Sequence, residues 1–120
     1  IQSLKLINIL PDYSFKFSNR KVIDDLQIFK DGCDDILIVN KGLITDTSYS
    51  NVVFRKDNMY FTPNFPLLNG TKRQKLIENR IIEEAVINVE TIKQYDRVWL
   101  INALLDIEDD VSLSVEQIFE

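Results

Sequence analysis

Lys16 lies between two phenylalanines in this chain of 120 residues. Successive side chains of a strand point to opposite faces, so Lys16 would face away from Phe15 and Phe17. If its own face lines a pocket, the amine loses part of its hydration. That loss favours the neutral amine, which is the nucleophile in Schiff-base chemistry. The alternative, which composition alone favours, is a lysine on a half-exposed strand.

Gly70 precedes a segment with a helical pattern, so the backbone N–H groups of Thr71 and Lys72 would lie in the first turn of a helix. Free amides at a helix start can hold a small anionic group. A glycine at this point lets a ligand approach the backbone closely. Taken alone, Gly70 is equally explained as an ordinary loop residue, and Lys72 and Arg73 as a solvated basic helix face.

Three motifs follow one another along the chain. They are Lys16-Phe-Ser-Asn19-Arg20, Thr45-Asp46-Thr-Ser-Tyr-Ser-Asn51 and Asn69-Gly70-Thr71-Lys72-Arg73. Their order and spacing resemble the cofactor-binding half of the class IV (fold-type IV) pyridoxal-phosphate enzymes. These are the branched-chain aminotransferases, the D-amino acid aminotransferases and the 4-amino-4-deoxychorismate lyases. The resemblance runs from about Lys16 to Leu104.

The resemblance implies a role for each motif. Lys16 would hold pyridoxal 5′-phosphate covalently and move protons at the reacting carbon. Asp46 would pair with the pyridine nitrogen and keep it protonated, with Asn51 completing the motif. The amides that follow Gly70, those of Thr71 and Lys72, would bind the phosphate. Taken alone, Asp46 has a second interpretation as a turn or capping residue.

Two features resemble the lyases more than the aminotransferases. Lys16-x-x-Asn19-Arg20 is similar to the Lys-x-x-Asn-Arg of many deoxychorismate lyases. Asn102 and Ala103 lie in a segment similar to the lyases' Cys-Asn-Ala-Leu, next to the phosphate, although Asn102 alone is also typical of a strand end. The chain departs from the family pattern at Asp46, where glutamate is usual, and at Asn102, where aminotransferases have a hydroxyl residue.

Composition excludes several classes of function. The 14 basic and 19 acidic residues give a net charge of −5 without a basic cluster, which argues against nucleic-acid or anionic-membrane binding. Histidine is absent, so triad chemistry and histidine-ligated zinc are excluded within this chain, and we predict no metal site. The lone cysteine, Cys33, favours a reducing compartment, and we expect the cytoplasm. No apolar run approaches membrane-spanning length, and the chain reads like the middle of a longer protein.

The hydrophobic pattern predicts the elements that would position these residues. An alternating strand runs from Ser3 to Leu10, and Asn19 caps a helix that ends at Asp31-Gly32, with Val22, Ile23, Leu26 and Phe29 inward. The other predictions are hairpins over 35–45 and 51–62, a helix over 71–79, strands over 81–89 and 96–101, and a solvated acidic loop over 106–110. Together they indicate an α+β domain with a mixed, largely antiparallel sheet closing toward a barrel. The resemblance implies the same, as in the large domain of D-amino acid aminotransferase-like enzymes.

We therefore expect residues 1–120 to be the C-terminal cofactor-binding domain of a class IV enzyme, without its N-terminal domain. The expected reaction converts 4-amino-4-deoxychorismate to 4-aminobenzoate and pyruvate, a step of folate biosynthesis, in a homodimer that binds a small amino substrate. One alternative is a class IV aminotransferase of branched-chain or D-amino acids. Another is a non-catalytic binding domain that keeps the fold. The isolated chain is expected to be inactive or nearly so.

Overall fold

The computed structural model describes residues 1–9 and 24–120. The predicted cofactor lysine, Lys16, and the predicted cap, Asn19, lie outside the described residues. The described strands are β1 (Leu4–Ile9), β2 (Asp35–Asn40), β3 (Leu43–Thr47), β4 (Asn51–Lys56), β5 (Met59–Pro63), β6 (Glu83–Ala85), β7 (Arg97–Ile101), β8 (Ser112–Ser114) and β9 (Ile118–Phe119). Helix α1 spans Thr71–Glu78, and short 3-10 turns lie at Gln27–Phe29, Thr91–Gln94, Ile107–Asp109 and Val115–Gln117.

The first sheet has the strand order β3-β2-β1-β9. Strand β1 is parallel to both β2 and β9, whereas β2 and β3 form an antiparallel hairpin. Lys41 and Gly42 make its turn with φ of 54° and 79°, the left-handed geometry of tight hairpin turns. The predicted hairpin is therefore confirmed. Its second strand runs two residues beyond the predicted end at Thr45, so that it includes Asp46.

The second sheet has the order β6-β5-β4-β7-β8, with the β4–β5 hairpin at its centre. Asp57 and Asn58 make the hairpin turn with φ of 53° and 63°, as their tolerance of left-handed backbone predicts. Strand β7 pairs antiparallel with β4, and β6 pairs parallel with β5. The edge strands β8 and β9 are additions that the sequence pattern did not predict.

The main core lies between the two sheets. Alternate residues of β1 and β2 meet alternate residues of β4 and β7 in one buried cluster, which includes Leu4, Leu6, Leu37, Val39, Val52, Phe54, Val98 and Leu100. The opposite face of the second sheet packs on α1, where Leu76 joins Val53, Trp99 and Ile101. Hydrophobic residues on both faces explain why β2 and β4 read as continuous apolar runs.

The α+β class is confirmed, and the described strands form two open mixed sheets. The predicted strand over 81–89 is wrong in length, because only Glu83–Ala85 forms a strand and Asn88 makes an isolated bridge with Leu43. The buried Ile82 and Ile87 lie outside the strand. The helix predicted to reach Asp31 gives way to the 3-10 turn Gln27–Phe29, with Phe29 exposed rather than inward. The acidic loop contains a 3-10 turn, Ile107–Asp109, which the Asp106 side chain caps.

Candidate functional site

Asp46 is a carboxylate buried at the end of β3, with 5% of its surface exposed. Its Oδ1 accepts a hydrogen bond from Nδ2 of Asn51 at 3.1 Å. Its Oδ2 accepts one from the backbone N–H of Leu68 at 2.9 Å. Both oxygens are therefore held by neutral donors. None of the ion pairs formed by the described residues involves Asp46.

Burial raises the pKa of Asp46 from 3.8 to about 6, because an ion loses its hydration in the interior. The hydrogen bonds from Leu68 and Asn51 and the positive charge of Arg73 act in the opposite direction. Desolvation outweighs them. A cation brought against this carboxylate would favour its ionised form, so the site is suited to a protonated ring nitrogen.

Asn51, the first residue of β4, connects three parts of the site. Its amide donates to Asp46 and also to the backbone carbonyl of Leu68 at 2.8 Å. Its carbonyl oxygen accepts from the backbone N–H of Gly70 at 3.2 Å. Both polar atoms of this side chain thus form hydrogen bonds within the site. These bonds explain structurally why an asparagine stands at position 51 of the predicted motif.

Gly70 is the residue before α1, with extended backbone at φ −65° and ψ 155°. A Cβ atom placed there would collide with Oδ1 of Asn51. Any side chain at position 70 would therefore displace the amide that orients Asp46. The predicted reason for the glycine was close approach to a cofactor, and the structure adds a second reason within the chain itself.

Helix α1 begins beside the same cavity without a side-chain cap, so its first amides are not covered by a capping oxygen. Thr71 lines the cavity. The Lys72 amine instead pairs with Oδ2 of Asp106 at 3.2 Å. The predicted contribution of Lys72 through its backbone N–H is compatible with this side-chain direction, since the amide and the amine are independent groups.

Asn102 and Ala103 follow β7 and reach the cavity from the other side. The Asn102 amide donates to Oγ of Ser50 at 3.2 Å, and its oxygen accepts from the backbone N–H of Leu104 at 2.9 Å. The side chain thus fixes both the turn before Asn51 and the loop after β7. Neither contact was evident from the residue types alone.

These residues surround one cavity of about 180 Å³. It brings together six of the predicted site residues, namely Asp46, Asn51, Gly70, Thr71, Asn102 and Ala103. The side chains of the β3–β4 turn, including Ser48 and Tyr49, and the loop residues Leu67 and Leu68 also line it. Leu68 was not among the predicted site residues because its contribution is a backbone N–H, which no residue type reveals.

Mixed sheets, a buried acid and an uncapped helix start thus meet at one cavity, in agreement with the site that the class IV resemblance implies. The family model for amino-transferase class IV matches residues 18–108. The chain belongs to this family, and the resemblance identified in the sequence is confirmed.

Two relatives have informative names. A Haemophilus somnus protein, whose crystal structure is described as that of a “putative 4-amino-4-deoxychorismate lyase”, is 39% identical, with a TM-score of 0.73 over 86% of this chain and 53% of that one. A Schizosaccharomyces pombe protein named “Putative aminodeoxychorismate lyase” is 30% identical over 73% of this chain and 42% of its own length. The chain thus spans about half the length of the curated relatives it matches, 50% and 42%.

The fold is also that of a “hypothetical aminotransferase” from Mycobacterium tuberculosis in its PLP-bound form. The TM-score is 0.74 over 97% of this chain and 47% of that one, and the identity is 20%. Class IV aminotransferases are PLP-dependent enzymes, and the predicted cofactor is confirmed for the family. Within the described part of this chain, no helix is long and apolar enough to cross a membrane.

The residues of the cavity fit this cofactor. A buried carboxylate without a cationic partner among the described residues matches a protonated ring nitrogen, and an uncapped helix start matches a phosphate. The two features meet at one cavity, which both Asp46 and Thr71 line.

Proposed function

We propose that this chain is the cofactor-binding domain of a pyridoxal-phosphate lyase that converts 4-amino-4-deoxychorismate to 4-aminobenzoate and pyruvate. The observation that carries the proposal is the shared cavity of Asp46, Gly70, Thr71 and Asn102. The names of the Haemophilus somnus and Schizosaccharomyces pombe relatives support the lyase reaction. So does the segment Asn102-Ala103-Leu104, which resembles the lyase motif.

Each group of the chain has a distinct task in this proposal. Asp46 accepts a charge-assisted hydrogen bond from the ring nitrogen and keeps that nitrogen protonated, while Asn51 holds the carboxylate in place. The backbone N–H groups of Thr71 and Lys72 bind the phosphate, and Gly70 leaves room for Asn51. Asn102 and Ala103 close the phosphate side of the cavity.

Lys16 has the remaining task. We propose, from the sequence motif, that its amine would hold the cofactor and would act as the base that moves protons at the reacting carbon. When bound, pyridoxal phosphate supplies an electron sink for the bond-breaking step. The protein supplies the lysine as a base and the geometry that Asp46 and the helix amides impose.

The residues described around the cavity are assigned to the cofactor, so the same parts would also serve an aminotransferase of branched-chain or D-amino acids. This second candidate is favoured by the fold likeness to the Mycobacterium tuberculosis aminotransferase. A homodimeric state and a cytoplasmic location belong to the proposal as well.

The test uses the full-length protein and two assays. Added pyridoxal phosphate should give a visible absorbance band, and borohydride should fix the pyridoxyl group on Lys16. A label on Lys5, Lys21 or Lys72 instead would refute the assignment of the lysine. Release of pyruvate and 4-aminobenzoate from 4-amino-4-deoxychorismate should exceed transfer of an amino group to 2-oxoglutarate. The opposite ratio would establish the aminotransferase.

A further inference from the structure

Arg73 is a buried cation on α1, with 4% of its surface exposed. One interpretation of its sequence position was a solvated basic helix face, and this is wrong for Arg73. Its Nη1 donates to Oδ1 of Asn69 at 2.8 Å, and its Nη2 donates to the backbone carbonyl of Pro63 at 3.0 Å and to Oε2 of Glu84 at 2.9 Å. Removing a partner of a buried guanidinium destabilises the folded protein, because it leaves an uncompensated charge in the interior.

The partners of Arg73 lie at both ends of one loop. Pro63 is the last residue of β5, and Asn69 is the second residue before α1, so residues 64–69 form a loop that Gly70 joins to the helix. Arg73 therefore joins the beginning of the loop to its end. The ion pair with Glu84 fixes the guanidinium to the edge strand β6 as well.

The same loop binds the candidate active site from its other side. The backbone N–H of Leu68 donates to Asp46, and the Leu68 carbonyl accepts from Asn51. Gly70, directly after the loop, donates to Asn51 as well. The loop thus stands between two buried side chains of opposite charge, Asp46 and Arg73, which form no hydrogen bond with each other among those described.

We propose that Arg73 is a positioning residue that holds the 64–69 loop where the Leu68 N–H can bind the Asp46 carboxylate. The importance of this contact for chemistry rests on the proposed function, whereas the contact itself does not. If the loop loosens, Asp46 loses a donor that stabilises its ionised form. The carboxylate is then less able to pair with a cation.

Hydrogen exchange of single amides tests this inference in the cofactor-free, full-length protein. The measured quantity is the exchange rate of the Leu68 amide relative to that of Leu100, a β7 amide that donates to Val111 and lies outside the loop. A variant that merely lowers global stability accelerates amides that exchange through global unfolding, so it should not raise the exchange of Leu68 relative to that of Leu100. A variant that releases the loop should accelerate Leu68 alone.

Two variants remove the contact in different ways. Arg73→Gln removes the charge and its hydrogen bonds, whereas Asn69→Ala removes one acceptor without changing the charge. Each should raise the Leu68 to Leu100 ratio on the order of tenfold, and each should raise the pKa of Asp46, followed by carboxyl-carbon NMR. The pKa rises in both because a donor is lost, and Arg73→Gln also removes a positive charge that lowers it.

Two control variants leave the contact intact. Lys75→Gln removes a positive charge from an exposed position of the same helix, and Gln74→Ala removes the other hydrogen-bond partner of the Asn69 side chain. Both should leave the ratio unchanged. An unchanged ratio in Arg73→Gln and Asn69→Ala, or an equal rise in the controls, would overturn the proposal. If Arg73→Gln does not fold, Asn69→Ala decides alone. Pyridoxyl labelling of Lys16 in the unmodified protein reports separately on the proposed function.

Discussion

The acidic residue of the site differs from the family's usual glutamate by one methylene. Asp46 is nevertheless buried and held by Asn51 and Leu68, so its carboxylate has a defined position at the cavity. A turn or capping aspartate would bind its own local backbone, whereas Asn51 and Leu68, which donate to Asp46, are 5 and 22 residues away along the chain. This geometry favours the interpretation of Asp46 as a ligand for a cation.

Replacement of Asp46 by alanine should separate cofactor binding from catalysis in the full-length protein. The variant loses a charge-assisted hydrogen bond of about 1.5–3 kcal/mol, so saturated turnover should fall by on the order of 100-fold. The cofactor should still bind through Lys16 and the phosphate amides. Dissociation constants and turnover at saturating cofactor measure the two effects. Asp46→Glu, which keeps the carboxylate, is the control, and near-normal turnover in Asp46→Ala would mean that the aspartate is only a turn residue.

Ionisation of Asp46 should also make stability depend on pH in the cofactor-free protein. The folded-state pKa, about 6, lies above the ordinary value of 3.8, so between these values the folded state binds more protons than the unfolded state. The free energy of unfolding therefore decreases as pH rises through this window, by at most about 3 kcal/mol, and the loss is complete above it. Urea titrations from pH 4 to about pH 7 should show this decrease in the wild type but not in Asp46→Ala. Equal slopes for the two proteins would contradict the assignment.

At the scale of elements, the site depends on three connections that leave strands. Asp46 and Asn51 flank the β3–β4 turn, the connection between β5 and α1 contains Leu68 and Gly70, and the segment after β7 contains Asn102. Asn51 and Asn102 bind the connections to one another through side-chain amides. The position of Asp46 is thus a property of the connected loops rather than of β3 alone.

The close packing of Gly70 against Asn51 can be measured by a double-mutant cycle. Gly70→Ala should lower stability by roughly 1–3 kcal/mol and weaken cofactor binding, because the new Cβ displaces the Asn51 side chain. In an Asn51→Ala background the same change should cost much less, since the collision is gone. Urea denaturation of the four proteins gives the coupling energy. Additive effects, within about 0.5 kcal/mol, would show that the glycine is needed for another reason.

At the scale of the whole molecule, local sequence patterns predicted most of the helices and strands but not how the strands are arranged into sheets. Turn residues such as Lys41-Gly42 and Asp57-Asn58 have intrinsic backbone preferences, so both hairpins were predictable. Ile82 and Ile87 are buried in the core although they lie outside β6. Hydrophobic periodicity cannot distinguish such buried loop residues from strand residues. The division into two sheets and the burial of Arg73 depend on contacts distant in sequence, which no local pattern contains.

The motif positions were predictable for a different reason. Asp46, Gly70 and Asn102 belong to motifs that resemble the family, and all three line one cavity. The reasons for their residue types were only partly predictable. The hydrogen bonds of Asn51 and Leu68 and the collision that excludes a side chain at Gly70 arise only when the three connections meet.

The cavity of this chain is expected to hold the cofactor without orienting the substrate fully. The described residues that line the cavity include no lysine or arginine, so no cation described there would pair with the carboxylates of 4-amino-4-deoxychorismate. The chain spans 53% of the Haemophilus somnus relative. Contacts with remote parts of a substrate raise the rate at the reacting centre, so we expect the 120-residue chain alone to turn over at least about 100-fold more slowly than that full-length relative. Pyruvate release is measured for both proteins. Parallel samples are reduced with borohydride to verify that each protein is loaded with the cofactor. Comparable turnover by the isolated chain would show that these 120 residues already hold the substrate-orienting groups.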